Sequence, residues 1–215
     1  MWFEDKDKIG RKGIPWIIER DKTLLLVIDL QNDFVEEGAI LEVPAARKQI
    51  PKVKRLIETC RELNVPVIYT AIVHKSPNLA PRHYELFPFL KNRAYRPGTR
   101  GIEIYHEIAP RPDEIIVEKV NYSAFNGTNL DLVIHSAKGL GLTDTLILVG
   151  TVTNVCVEST ARDAFDRNYK VVLVSDACSA FDSELHNATL KNVAYGLGRV
   201  MTCDEAIKAL KEGEA

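Results

Sequence analysis

Short continuous apolar runs alternate along this chain with longer stretches of helical periodicity. The run Thr23-Leu24-Leu25-Leu26-Val27-Ile28 stops abruptly at Asp29, where Asp29-Leu30-Gln31-Asn32-Asp33-Phe34 reads as a polar loop, and similar runs occupy 66–73, 115–117, 145–149, 170–174 and 199–202. Runs of this length with no polar alternation predict strands covered on both faces, as parallel sheets require. From Pro44 the pattern changes: Ile50, Val53, Leu56, Ile57, Cys60 and Leu63 fall at three- and four-residue steps and predict a helix with one apolar stripe. Further helices are expected over 129–138, from Cys156 to about 168, from a cap at Asp182 or Ser183, and through Ala206, Ile207 and Leu210. Regular alternation of strand and helix predicts a doubly wound α/β fold, three layers deep (α/β/α), around a six-stranded parallel sheet. Ligands of such sheets bind beyond the carboxyl ends of the strands.

Two stretches break the rhythm. Residues 1–20 are polar, carry Gly10, Gly13 and Pro15, and read as an irregular N-terminal arm that Trp2, Phe3 and Trp16 pin to the body or to a neighbouring subunit. Residues 21–215 are then expected to form a single domain. Residues 74–112 hold Pro77, Pro81, Pro88, Pro97, Pro110 and Pro112, and a segment this long between regular elements predicts a functional insertion or lid. Within it Arg82, Arg93, Arg96 and Arg100 are candidates to clamp a substrate carboxylate.

Composition narrows the function classes. With 215 residues, 46% of them hydrophobic, and a formal net charge of −2, the chain suits one globular domain with a full-sized core. That charge leaves no basic footprint for nucleic acid and no polybasic patch for a membrane, so neither partner is expected. Cys60, Cys156, Cys178 and Cys203 are scattered, with no C-x-x-C pair, which argues against a disulfide framework and a cysteine zinc site. The charged start, Met1-Trp2-Phe3-Glu4-Asp5-Lys6, lacks an apolar signal region, and the expected location is cytoplasmic.

Three groups sit at comparable places. Asp29 ends the first strand, Lys119 the third, and Cys156 follows the fourth after Gly150-Thr151-Val152-Thr153-Asn154-Val155. With Thr153 or Asn154 as N-cap, Cys156 falls in the first turn of a helix, where the partial positive charge of the terminus favours a thiolate. Singly these are a turn aspartate, a strand-end lysine and a small buried thiol. Together they lie on one edge of a parallel sheet and make a nucleophile, a base and a cation.

The chain resembles the isochorismatase-like cysteine hydrolases, a family that includes nicotinamidases and the amidohydrolases of N-carbamoylsarcosine, ureidoacrylate and biuret. The resemblance rests on Val27-Ile28-Asp29-Leu30-Gln31-Asn32-Asp33-Phe34, on Lys119 with Tyr122-Ser123-Ala124-Phe125, and on Gly150 to Cys156 with Val157-Glu158-Ser159-Thr160-Ala161-Arg162-Asp163-Ala164. Val174-Ser175-Asp176-Ala177 adds weaker support. It implies a Rossmann-like sheet of order 3-2-1-4-5-6, in which Lys119 must reach inward from a curled loop. It also implies a homodimer or homotetramer. Cys156 is then the nucleophile that forms a thioacyl enzyme, Asp29 the base and Lys119 the group that stabilises thiolate and carboxylate. The backbone N–H groups of Val152 and Cys156 form the oxyanion hole, the Thr151–Val152 peptide is cis, and Phe34 is an aromatic wall beside the substrate, with Tyr122 and Asn154 as further substrate-binding candidates.

Departures from the family pattern direct the reading further. Nicotinamidases carry a metal site with an Asp-x-His pair after strand two, where this chain reads Val73-His74-Lys75-Ser76-Pro77 with only His83 nearby. No metal and no cofactor are therefore expected, and the run from Thr153 to Thr160 leans toward the ureidoacrylate and biuret branch. The expected activity is metal-independent hydrolysis of the C–N bond in a small amide or ureido compound, with release of ammonia. The alternatives are a nicotinamidase or isochorismatase-type hydrolase, a Cys–His hydrolase, or a non-catalytic α/β module with a redox-sensitive thiol. His106, His135 and His186 look unremarkable.

Overall fold

A computed structural model describes residues 16–139 and 141–212. Strands β1 (Thr23–Ile28), β2 (Val67–Ile72), β3 (Ile115–Lys119), β4 (Thr145–Thr151), β5 (Lys170–Ser179) and β6 (Gly198–Met201) form one sheet of order 3-2-1-4-5-6, and every pairing is parallel. The helices are α1 (Asn32–Val35), α2 (Pro44–Glu62), α3 (Pro81–Leu86), α4 (Leu130–Ala137), α5 (Glu158–Asp166), α6 (Ser183–Gly196) and α7 (Cys203–Glu212). The expected doubly wound α/β class and strand order are what the structure has.

Strand β1 lies at the centre, paired to β2 and β4, and all six of its residues are buried. That is why its sequence is an unbroken apolar run. On α2 the stripe Ile50, Val53, Leu56, Ile57 and Cys60 is buried, with Leu63 just past the helix end. Pro44 opens that helix at a position whose N–H has no partner to lose. Edge strand β3 is less covered, with Ile115 and Ile116 exposed. Among the described residues no helix is long and apolar enough to cross a membrane.

Three expectations need correction. Strand β5 does not end at Val174: it continues to Ser179, with Leu148 paired to Leu173 but Gly150 to Cys178. Within the bulge Asp176 is held by Lys52 Nζ at 2.6 Å and by the Cys203 N–H at 2.7 Å. Residues 29–34 are not all loop, since Asn32–Val35 closes one helical turn. Lys119 is not on a curled loop either; it is the last residue of β3, in register with Ile72. Of the arm, residues 1–15, with Trp2 and Phe3, lie outside the described residues. Trp16 packs against the core, its carbonyl 2.6 Å from Arg199 Nη2 and its ring 4.6 Å from that guanidinium.

Residues 74–112 form α3 and several single 3-10 turns, and the residues after β1 fasten this segment to the sheet. Gln31 behaves as a substitute strand residue: its Oε1 accepts from the Ile72 N–H at 2.8 Å and its Nε2 donates to the carbonyls of Ile72 and Ile102. Asn32 Nδ2 donates to the Arg100 carbonyl at 2.8 Å, and Asp33 Oδ2 accepts from the Tyr95 N–H at 3.1 Å. The Gln-Asn-Asp part of the first motif is thus the anchor of the insertion.

Candidate active site

Asp29 follows β1 with φ of +50°, a left-handed conformation that aspartate tolerates better than most residues. Its side chain has no exposed surface and sits 2.7 Å from the Lys119 ammonium, which is equally buried. The contact spans the width of β2, which lies between β3 and β1 in the sheet. The remaining donors of Lys119 go to the carbonyls of Asn121 and Tyr122, each at 3.0 Å. Thr70 of β2 donates its hydroxyl to Asp29 Oδ1 at 2.6 Å. The contact from Lys119 to Oδ2 has ion-pair distance without hydrogen-bond alignment, so Oδ2 keeps an open acceptor position.

Cys156 is buried and interacts with both members of the pair. Burial works against the Lys119 ammonium, but Asp29 and the Cys156 side chain outweigh it and hold its pKa above the ordinary lysine value. For Cys156 the balance is opposite: burial pushes the thiol up to about 12, with Asp29 adding to the rise and Lys119 opposing it. The expectation of a resting thiolate is therefore corrected. A helix terminus contributes only a partial charge, and complete burial beside a carboxylate outweighs it.

The turn that carries Cys156 also differs from expectation. Neither Thr153 nor Asn154 is the N-cap; Val152 holds that position without a side-chain cap, and Thr153–Val157 forms a π-type turn before α5. The Val152 carbonyl accepts from the N–H groups of Val155 (3.0 Å) and Val157 (3.3 Å), and the Thr151–Val152 peptide is cis. Thr153 is occupied elsewhere, its hydroxyl lying 2.9 Å from His186 Nδ1. Glu158, two residues after the cysteine, accepts from Thr189 at 2.5 Å and Asn192 at 3.2 Å, so α6 holds the nucleophile turn at two points. Thr160 links the second and third motifs: it donates to the Cys156 carbonyl at 2.7 Å and accepts from the Ala124 N–H at 3.0 Å.

Close packing of β1 against β4 depends on Gly150. Its φ is +132°, and a Cβ there would lie 2.0 Å from the Ile28 carbonyl oxygen. Only glycine permits this approach directly before the nucleophile turn.

A cavity of about 380 Å³ opens at this edge of the sheet, lined by Cys156, Val152, Phe34 and Tyr122 among others. The insertion adds His83, Phe87, Phe89, Leu90 and Tyr95, and Phe181 closes the side toward α6. Asn154 and the four arginines Arg82, Arg93, Arg96 and Arg100 do not line it. Arg82 pairs with Glu85, Arg96 bonds Asn92, and Arg100 pairs with Glu36. Sequence reading missed Thr70, a β-branched strand residue like its neighbours, and His186, whose partner lies 33 positions away.

The two histidines after β2 do not suit a metal. His74 donates from Nε2 to the Val120 carbonyl at 3.0 Å and accepts at Nδ1 from the Tyr84 hydroxyl at 2.7 Å, which leaves it no lone pair for a ligand bond. His83 alone is not a ligand set, and among the described residues no group of three or more His, Cys, Asp or Glu side chains is placed to hold a metal ion.

Known proteins resemble this chain in both sequence and fold. The family model for the Isochorismatase domain matches residues 23–205. Nicotinamidase 3 of Arabidopsis thaliana is 37% identical, over 86% of this chain and 87% of its own length. The ureidoacrylate amidohydrolase RutB of Rhizobium rhizogenes is 30% identical, over 89% of this chain and 84% of its own. A cysteine hydrolase structure from Pseudomonas syringae pv. phaseolicola superposes with a TM-score of 0.87 at 30% identity, covering 93% of this chain and 97% of that one.

Proposed function

The chain belongs to the isochorismatase family of hydrolases, and from that premise we propose that it is a metal-independent cysteine amidohydrolase. The reading is carried by one observation: a buried Asp29–Lys119 ion pair, 2.7 Å apart, that engages the thiol of Cys156 at the floor of a cavity. Because the resting group is a thiol, proton transfer accompanies attack. Asp29 takes the proton as sulfur bonds to the carbonyl carbon, and the Lys119 ammonium, its carboxylate partner now neutral, offsets the negative charge that moves to the carbonyl oxygen. The oxyanion is received by the N–H groups of Val152 and Cys156. Asp29 returns the proton to nitrogen, the C–N bond breaks, and ammonia departs from a thioacyl enzyme. Water then gives a proton to Asp29 and its oxygen to the acyl carbon, and the departing sulfur recovers the proton. No histidine takes part in these steps.

Nicotinamidase activity is a second reading, favoured by the likeness to the Arabidopsis enzyme and by the aromatic walls of the cavity. The engaged nitrogens of His74 speak against the metal-dependent form of that activity. The test is ammonia release from small primary amides, ureido acids, biuret and nicotinamide, with and without chelator, using Cys156→Ala as control. Chelator-resistant turnover that is lost in Cys156→Ala supports the proposal; a metal requirement or turnover by Cys156→Ala overturns it.

A further inference from the structure

The cavity beside Cys156 is apolar over nearly all its wall, and its few polar groups carry no free positive charge. Phe34, Ile40, Leu41, Ile72, Leu90 and Val155 surround the interior. Phe87, Phe89 and Phe181 also line it and keep exposed faces of 37%, 53% and 58%, an arrangement that extends the apolar surface to the rim. Lysine and arginine are absent from this lining. Lys119, the nearest buried cation, already faces Asp29 and two backbone carbonyls, so it has nothing left for a substrate carboxylate. Glu42, the one carboxylate on the wall, is held by Arg47 at 2.6 Å and by the Gly38 N–H at 2.8 Å. His83 contributes Nε2, a buried nitrogen without a partner. Burial holds its pKa below the usual histidine value, so near neutral pH it offers one hydrogen bond and no charge.

We propose that the substrate is an uncharged primary amide with a bulky apolar body, branched alkyl or arylalkyl, and that ureido acids and other carboxylate-bearing amides are excluded. The inference rests on the cysteine amidohydrolase reading and adds the acyl group. An apolar wall rewards each methylene removed from water, whereas a carboxylate placed there loses its hydration and finds no cation. A cavity of about 380 Å³ is also roomy for the smallest amides and falls within the range that accommodates a larger body.

The test measures kcat/KM by ammonia release for wild-type protein with the series from propanamide to hexanamide, with phenylacetamide, and with the isosteric pair 4-methylpentanamide and succinamate. The pair differs only by isopropyl against carboxylate. Specificity is expected to rise about fourfold per methylene along the series, and succinamate to fall on the order of a hundredfold or more below 4-methylpentanamide. Succinamate or 3-ureidopropanoate turned over within about tenfold of 4-methylpentanamide overturns the inference and leaves the amidohydrolase reading standing. Absence of ammonia from every compound, with no acyl mass on Cys156, removes the hydrolase reading and the inference with it.

Discussion

Lys119 Nζ lies 2.7 Å from Asp29 Oδ2, with no exposed surface on either side chain, although β2 separates the strands that carry them. A buried pair of this kind is costly to break and less costly to remove whole. Lys119→Met is expected to destabilise the fold by about 3–5 kcal/mol, because it leaves a buried carboxylate unpaired. The double variant Asp29→Asn, Lys119→Met should recover most of that stability in urea titrations and none of the activity. Equal instability of single and double variants would show that the pair is not coupled.

Thr70 serves the same carboxylate from β2, with its hydroxyl 2.6 Å from Asp29 Oδ1. Thr70→Val keeps the shape and removes the bond. Stability should fall by about 1–3 kcal/mol, and kcat by about tenfold with KM little changed, since the aspartate loses its orientation rather than the substrate its cavity. Steady-state kinetics on a substrate found in the amide screen would check the split; a change confined to KM would contradict it.

Gly150→Ala places a methyl group where the Ile28 carbonyl already is. Strands β1 and β4 must then part at the residues that lead to Asp29 and Cys156. A loss of about 3 kcal/mol or more is expected, seen as a lower thermal midpoint or insoluble protein, together with lost activity in whatever remains folded. A variant as stable and active as wild type would refute the close approach.

Acid stability should follow the histidines. Burial lowers the pKa of His74, His83 and His186 in the folded protein. The unfolded chain, with histidines near about 6.5, therefore binds more protons than the folded one over the interval below that value. Stability from these groups is complete above about 6.5 and is lost as pH falls toward the folded values. The urea midpoint should accordingly decline from pH 7.5 to pH 5.5, and a flat or rising midpoint would contradict the neutral burial of these rings.

How far this was legible in the sequence depended on whether a residue's role follows from its own segment. Asp29, Lys119 and Cys156 were legible as candidates because Asp29 and Lys119 stand at the ends of apolar runs and Cys156 follows one, and parallel strands bring such ends to one edge, where the structure places the three together. The cap at Thr153 was misread because its hydroxyl is taken by His186, a contact between the nucleophile turn and α6 that local chemistry does not reveal. The thiol state of Cys156 was misread for a related reason: the helix-terminus argument is local, whereas the burial that outweighs it comes from the whole sheet edge. Arginines in residues 74–112 suggested a carboxylate clamp by residue type alone, yet the cavity wall is made by the segment's aromatic residues.

The central claim is that Cys156 takes the acyl group, and rapid acid quench followed by intact-protein mass spectrometry tests it most directly. Wild-type protein mixed with a turned-over amide should show a mass increase equal to the acyl group less one hydrogen, mapped by peptide digestion to Cys156. The increase should be absent in Cys156→Ala and in Asp29→Asn. Ammonia released by Cys156→Ala at a rate within about tenfold of wild type, or an acyl mass on any other residue, would contradict the account.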